Sequence, residues 1–455
     1  MPFMRAFFNT LPRWYLVALY ALFVLYLCGW VYTVHLAQIE RAEHASIVMP
    51  VGDHDSASYA NLAQNLLHGR FVDNTMSEQY EYFHTPGYPV FAAVILFVTG
   101  GSFFAVTFAQ LLLVFATALL LCVLGTAVAS HTVGPWASLL FLCNPLVPNI
   151  VFIVGTDTLF TFLLTLAFTL LVIQFSAKPF ATAVIVGIVF AAAVYVRPVG
   201  FLAIPIFIAP LVATNVQWKQ KILYGAVMLL ILGALLVPWM LRNKAHSGVF
   251  SFSSLFALNM AYYEIPHYLS WHSGTIADGV ATVQKESGVP EGIDFSGYPT
   301  NWYNLMYTPP LDTYIYATVF AHPISYAVFH LYNSTGFFLN PAVNPSHQSI
   351  NLKQLLAQRR YAELFRAALS PWWLALERIG IFMGLLLLAT GFWILRRKSQ
   401  AWVFAFIILY MAALGGVSAA SRLRLPVEPL ISIFITASIY AAYGMVTKIK
   451  TWHEK

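Results

Sequence analysis

The chain has 455 residues and a formal net charge of +6, with 59% of its residues hydrophobic and only 9% charged. A soluble domain carries about a quarter charged residues, so this composition excludes an ordinary water-soluble globule. The cations sit mostly in short segments between apolar runs, as positive-inside anchoring requires, so membrane lipids rather than nucleic acid account for the basic excess.

Apolar runs of span length recur, and lipid offers their backbone no hydrogen-bond partner, so they must be helices and not open sheets. The first, residues 14–35, follows Arg5 and Arg13. It is too long for a signal-peptide core and lacks a small-x-small cleavage site after it, which marks a retained span. From a cytoplasmic N-terminus, the loop that follows lies outside. It holds seven acidic residues (Glu40, Glu43, Asp53, Asp55, Asp73, Glu78, Glu81) against Arg41 and Arg70.

Within that loop Tyr59, Leu62, Ala63, Leu66 and Leu67 follow the i, i+3, i+4, i+7, i+8 spacing of one helix face. Asp55 therefore stands at the start of a helix lying on the membrane. The positive end of such a helix favours an ionised carboxylate by roughly 0.3–1 kcal/mol. Asp55 or Ser56 at that position equally suits a plain N-cap. Pro86, Gly87 and Pro89 then enforce a turn into residues 88–99, which are closed by Gly100 and Gly101. At about 1.5 Å per residue this segment falls short of the roughly 30 Å core, which predicts a juxtamembrane or re-entrant helix.

Spans are expected at 102–127, 133–150, 158–176, 181–196, 199–215 and 222–241, with Lys178, Lys219 and Lys221 inside. Three more at 373–395, 401–419 and 425–446 bring Arg396, Arg397, Lys398, Lys448 and Lys450 to the cytoplasm. Residues 314–339 are apolar enough to span, but a crossing there would reverse that order. They read instead as an interfacial helix broken at His322 and Pro323. Lys353, Arg359, Arg360 and Arg366 face away from Leu352, Leu355, Leu356, Leu364 and Phe365, the pattern of a basic amphipathic helix on lipid headgroups.

The expected fold is thus an all-α polytopic membrane bundle of about ten transmembrane helices, nine to twelve, with juxtamembrane helices in the first loop. It divides into residues 1–241, including a catalytic first extracytoplasmic loop at 35–101, an extracytoplasmic region with interfacial helices at 242–372, and C-terminal spans at 373–455. Cys28, Cys122 and Cys143 all fall in apolar runs, which suits packing rather than disulfides or metal clusters. The chain has no internal repeat, low-complexity tract, G-x-G-x-x-G or P-loop motif.

Chemistry-bearing residues cluster at the outer ends of the spans. Asp157 sits where one span ends and another begins, a costly place for a carboxylate unless it is functional or an N-cap. Arg197, Arg242, Arg422 and Arg424 lie on the same side, against the positive-inside bias, and a guanidinium is suited to phosphate. Each alone also reads as a snorkelling residue, or for Arg424 as an i, i+4 partner of Glu428. Tyr262, Tyr263, Tyr268, Trp271, Trp302, Tyr303 and Tyr307 suit either sugar stacking or an interfacial belt. His84, His267, His272 and His322 show no metal-ligand spacing.

Taken in order, Asp55-Ser-x-x-Tyr59-x-x-x-Ala63-x-x-Leu66-x-x-Gly69, Thr85-Pro-Gly-Tyr-Pro89, Thr156-Asp157, Arg197-Pro198, Pro238-Trp239 with Arg242-Asn243, and Arg424-Leu-Pro426 resemble the C-type membrane glycosyltransferases. The bacterial branch that includes protein O-mannosyltransferases and lipid A aminoarabinose transferases is the most similar. The resemblance covers about residues 10–440 and implies an inverting sugar transfer at the outer face of the cell (inner or plasma) membrane. The donor it implies is a polyprenyl-phosphate sugar, such as an undecaprenyl phosphate, and the acceptor a lipid, glycan or protein of the envelope.

Asp55 matches the first-loop aspartate that the resemblance implies as base or acceptor-orienting group, with Asp53 a near alternative and Asp157 a third carboxylate. Arg197, Arg242, Arg422, Arg424 and His84 are then donor-phosphate candidates, although relatives often carry Lys or Arg where His84 stands. Tyr59, Tyr82, Tyr88 and Asn243 are substrate-binding candidates. Some relatives use a divalent cation, Mg or Mn, but the scattered aspartates do not require one. The rival class is a membrane transporter or lipid flippase, which ordinarily places ionisable groups near the midplane between inverted repeats.

Overall fold

The computed structural model describes residues 11–44, 54–73, 80–175, 177–202, 204–214, 216–272, 274–289, 305–341, 372–419 and 421–453. Among them every regular element is helical. Asp53, Trp302, Tyr303 and the expected basic helix around Lys353, Arg359, Arg360 and Arg366 lie outside the described residues.

In chain order the helices are α1 Arg13–His44, α2 His54–Leu66, α3 Gly87–Thr99, α4 Phe103–Val128, α5 Val133–Leu142, α6 Leu146–Val151, α7 Asp157–Ile173, α8 Pro179–Val196, α9 Val199–Leu202, α10 Ile204–Val212 and α11 Trp218–Ser247. A layer follows: α12 Leu255–Asn259, a π turn Met260–Glu264, α13 Ile265–His272, α14 Ile276–Glu286, α15 Thr308–Ala321, α16 Pro323–Ser334 and α17 Gly336–Leu339. The chain ends with α18 Trp372–Leu395, α19 Ser399–Ala413, two 3-10 turns Gly416–Ser418 and Ser421–Val427, and α20 Glu428–His453.

This is a multi-pass membrane protein. Six helical stretches are long and apolar enough to cross a bilayer: Arg13–Leu36, Phe103–Val128, Pro179–Val196, Trp218–Ser247, Ala375–Leu395 and Ser421–Met445. The other four expected spans are shorter or broken. Residues 133–150 divide at Asn144 and Pro145 into α5 and α6, and among residues 199–215 the described helices are α9 and α10, the latter containing Pro205 and Pro210. Proline has no N–H to give and collides with the preceding turn, which accounts for the interruption at Pro145. The helices α7 and α19 are apolar but under span length. As expected, α3 is short and closed by a left-handed Gly100, and residues 308–334 break at His322.

One contiguous core joins α3, α4, α5, α7, α8, α19 and α20 through residues such as Leu121, Phe141, Phe160, Phe190, Phe404 and Ile433. The close approach of α4 and α5 needs Gly134, where a Cβ would fall 2.3 Å from the Cys122 carbonyl. In lipid, where apolar contact alone gives little drive, small residues and interhelical hydrogen bonds hold helices together. The helix α1 is attached by the latter: Tyr26 donates to the Leu142 carbonyl at 2.7 Å and Trp30 to Thr107 at 3.0 Å. Of the three cysteines only Cys122 is a packing residue, whereas Cys28 and Cys143 face outward. The 255–339 layer has its own small core of Ala257, Leu258, Ala261, Ile265, Val283, Leu311 and Ile315.

Candidate active site

Four charged residues, separated by up to 367 positions in sequence, meet at one end of the bundle. Asp55 stands in the first turn of α2 and Asp157 in the first turn of α7, so both carboxylates benefit from a helix N-terminus. Arg197 occupies the C-terminal boundary of α8, where Pro198 ends the helix, and Arg422 sits in the 3-10 turn before α20. Asp157 binds both arginines: one oxygen accepts from Arg197 Nη1, the other from Arg422 Nε at 2.9 Å. Arg422 Nη2 also reaches Asp55 Oδ2 at 3.0 Å. Neither aspartate is a mere N-cap.

Exposure divides the roles. The Asp157 side chain is 3% exposed and that of Arg197 14%, whereas Arg422 is 36% and Asp55 49% exposed. Asp157 and Arg197 form the floor, and only Asp55 and Arg422 are open to a substrate.

The floor is set by two residues with no charge. Gln110, in the middle of α4, accepts from the Tyr88 hydroxyl at 2.6 Å and donates to the carbonyls of Val151 and Ile153 at 2.9 and 2.8 Å. That amide holds the turn which presents Asp157. Gly87 brings the start of α3 onto the end of α8, where a Cβ would lie 2.4 Å from the Tyr195 carbonyl carbon, two residues before Arg197. The Thr-Pro-Gly-Tyr-Pro turn is therefore a packing device that also supplies Tyr88.

Tyr59 packs its ring between His84 at 5.0 Å and Tyr88 at 5.2 Å. Burial raises its pKa, Asp55 adds to that, and Arg197 and Arg422 offset part of it. His84 does not join the arginines. It is buried beside Glu81, whose Oε1 lies 3.4 Å from His84 Nδ1 and accepts from the amides of Phe83 and His84 at 2.7 Å each. Burial opposes both charges, but the pair outweighs it, holding Glu81 below and His84 above their ordinary pKa values.

Arg242 is likewise elsewhere, donating to the Glu81 carbonyl at 2.9 Å and lying over the rings of Trp239, Tyr80 and Tyr82. Asn243 is fully buried and donates to the Ser251 and Phe252 carbonyls. Arg424 is buried, paired with Glu428 and bonded to the carbonyls of Phe337 and Phe338. Of the five donor-phosphate candidates, the structure brings Arg197 and Arg422 to the two aspartates and keeps His84, Arg242 and Arg424 away.

Asp73, Glu81 and His84 are the group among the described residues whose atoms come close enough for a metal, within 4.8 Å of one another. Donors about 2.0–2.2 Å from a tetrahedral ion stand roughly 3.3–3.6 Å apart, so these would have to draw together to bind one. At the quartet, Arg197 and Arg422 take both oxygens of Asp157 and Oδ2 of Asp55, so a divalent ion there would have to share or displace those guanidiniums.

No family model matches the chain, and no curated protein does. Solved structures do resemble it. The archaeal oligosaccharyltransferase AglB from Archaeoglobus fulgidus, in complex with an inhibitory peptide and a dolichol-phosphate, matches 97% of this chain at 13% identity with a TM-score of 0.54. The apo form of the A. fulgidus oligosaccharyltransferase gives 0.53 at 13% identity, again over 97% of this chain. In both, the chain spans about half of the neighbour, 52%. ArnT from Cupriavidus metallidurans, bound to undecaprenyl phosphate, matches 92% of this chain and 77% of its own at 13% identity, with a TM-score of 0.41. These neighbours are C-type membrane glycosyltransferases, the class that the order of motifs resembles. At this identity the likeness is one of fold.

Gln110 was not singled out in the sequence, although a lone amide inside a 26-residue apolar helix was its signal. Glu264 and His330 were also missed. They lie in the π turn 260–264 and in α16, 66 positions apart, and are connected only through space.

Proposed function

We propose that the chain is a membrane glycosyltransferase that moves a sugar from a polyprenyl-phosphate carrier to a lipid, glycan or protein acceptor on the extracytoplasmic side. The observation that carries this reading is the convergence of Asp55, Asp157, Arg197 and Arg422 on one balanced, partly open site. Two carboxylates and two guanidiniums cancel at rest. A donor phosphate arriving at Arg422 competes for its Nη2, which frees the Asp55 carboxylate to act as a base.

An acceptor hydroxyl then attacks the anomeric carbon, and its proton passes to Asp55. The bond from that carbon to the phosphate oxygen breaks, and its electron pair stays on the leaving polyprenyl phosphate. Charge on the phosphate grows along this path, so a guanidinium already in position stabilises the transition state more than the ground state. Asp157, locked between both arginines, keeps them aimed. A single displacement inverts the anomeric configuration. Tyr59 lies beside Asp55 and is proposed to bound the acceptor side, with the fully buried Tyr88 packed behind it.

The test is transfer by the full chain in proteoliposomes supplied with a labelled polyprenyl-phosphate sugar and envelope lipid acceptors. Replacing Asp55 with Asn is expected to lower turnover on the order of 10²–10⁴-fold, the usual weight of a general base. Undiminished transfer by Asp55→Asn removes the role given to Asp55. Movement of intact donor lipid across the bilayer without sugar transfer would instead support a flippase.

A further inference from the structure

The turn Gly416–Ser418, just ahead of the one that carries Arg422, is held by a second pair of charged residues. Glu264 closes the π turn of the 255–339 layer and is 5% exposed. Its Oε1 lies 2.5 Å from His330 Nδ1 and 3.5 Å from the Tyr326 hydroxyl, while its Oε2 accepts from the Val417 amide at 2.7 Å. On its other side His330 Nε2 meets the Ala413 carbonyl, at the end of α19, at 2.6 Å. Both imidazole nitrogens thus face acceptors, which only the doubly protonated ring satisfies as a donor at each. The Gly416 amide adds a bond to Ser334 Oγ at 3.1 Å.

The fit is close. Gly416 has φ +48°, and a Cβ there would lie 2.5 and 2.8 Å from the Glu264 oxygens and 2.8 Å from His330 Cε1. The next anchors along the chain are Asn340 Nδ2, which donates to the Ala419 carbonyl at 2.8 Å, and Arg424. Arg422 lies between the latch on Val417 and the anchor at Arg424, so its reach to Asp55 and Asp157 depends on where that turn is held.

We propose that Glu264 and His330 are positioning residues: an imidazolium–carboxylate latch joins the 255–339 layer to residues 413–417 and thereby sets Arg422 against the two aspartates. The latch rests on the reading of Arg422 as a phosphate-binding residue. The groups facing His330 are Glu264 from the π turn, the Tyr326 hydroxyl and ring from its own helix, and the Ala413 carbonyl from α19. Burial works against the imidazolium, but the bonds to Glu264 and Ala413 and the Glu264 charge outweigh it and raise the His330 pKa. A raised histidine pKa means the stabilisation is complete below about 6.5 and is lost as pH rises through the higher folded value. The latch is closed below about 6.5 and opens as pH rises through the raised pKa of His330, while the arginines remain charged.

The experiment uses the full chain in detergent with undecaprenyl phosphate as the probe, from pH 7 to 9.5, above the second phosphate ionisation near 6. Amide hydrogen exchange of residues 413–419, corrected for intrinsic rate, is followed in parallel. The wild type should lose about tenfold in affinity across this range as one charge-assisted bond is given up. His330→Leu and Gly416→Ala should bind about tenfold more weakly already at pH 7 and exchange residues 413–419 faster. The pair Glu264→Gln with His330→Gln, which keeps hydrogen-bonding atoms but cannot titrate, should bind with no slope against pH. An identical pH slope in wild type and the double variant overturns the proposal, as does unchanged 413–419 exchange in His330→Leu. If undecaprenyl phosphate binds at no pH, the donor reading fails. The latch is then judged by exchange alone: alkaline release in the wild type but not in the double variant supports it, and equal profiles overturn it.

Discussion

Arg422 and Arg424 stand two residues apart on the same 3-10 turn, yet their surroundings are opposite. Arg424 faces inward, paired with Glu428 one helical turn on and with the carbonyls of Phe337 and Phe338. Arg422 faces the open end of the bundle and is shared between two aspartates from distant helices, one of them half exposed. A buried guanidinium paired with a buried carboxylate is a structural strut, because removing it strands that carboxylate in an apolar place. One that is partly open, and can exchange a carboxylate for a phosphate, is available for chemistry.

The largest effect that would sharpen this contrast is on stability. Arg424→Met should cost about 3–5 kcal/mol, read as a fall in thermal midpoint or abundance, by leaving Glu428 buried without its partner. Arg424→Met combined with Glu428→Leu should recover most of that loss, since an apolar pair of similar volume replaces a buried ion pair at little net cost. Next comes Arg422→Ala, expected to reduce sugar transfer on the order of 10²–10³-fold, as for loss of a donor that meets growing charge. Its thermal midpoint should fall less than that of Arg424→Met, because Asp157 keeps Arg197 as a partner and the pair with Asp55 is half exposed. Equal destabilisation by the two arginine variants would break the comparison.

Smaller effects are expected at the uncharged supports. Gly87→Ala should push α3 off the end of α8 at a cost of about 1–3 kcal/mol and lower transfer more than binding of an acceptor analogue, since it disturbs Arg197. Gln110→Leu should cost about 1–3 kcal/mol by leaving the Val151 and Ile153 carbonyls without their donor. Its transfer rate should fall with no change in pH profile, which separates it from the Glu264 and His330 variants.

Much of the architecture was legible in the chain. The helical class, the short α3, the break at His322 and Pro323, and Asp55 at a helix start all follow from local patterns. Span lengths were less so. Asn144 with Pro145 divides a stretch that hydropathy alone treats as continuous, and α7 and α19 fall short of span length. At the site, local sequence marked which residues were candidates but could not rank the arginines. Arg242 and Arg424 occupy the more recognisable motifs, yet the structure brings Arg197 and Arg422 to Asp157.

By itself, then, the sequence determined that this chain lives in a membrane as helices and carries its charged candidates near helix ends. Those properties depend on neighbours a few positions apart, through hydropathy, helix period and proline. Only the tertiary structure decided that the acidic first loop shares Arg422 with Asp157, that Gln110 and Gly87 set the floor, and that Glu264 and His330 hold the turn above it. Electrostatic pairing acts over a few ångströms in space, whatever the distance along the chain.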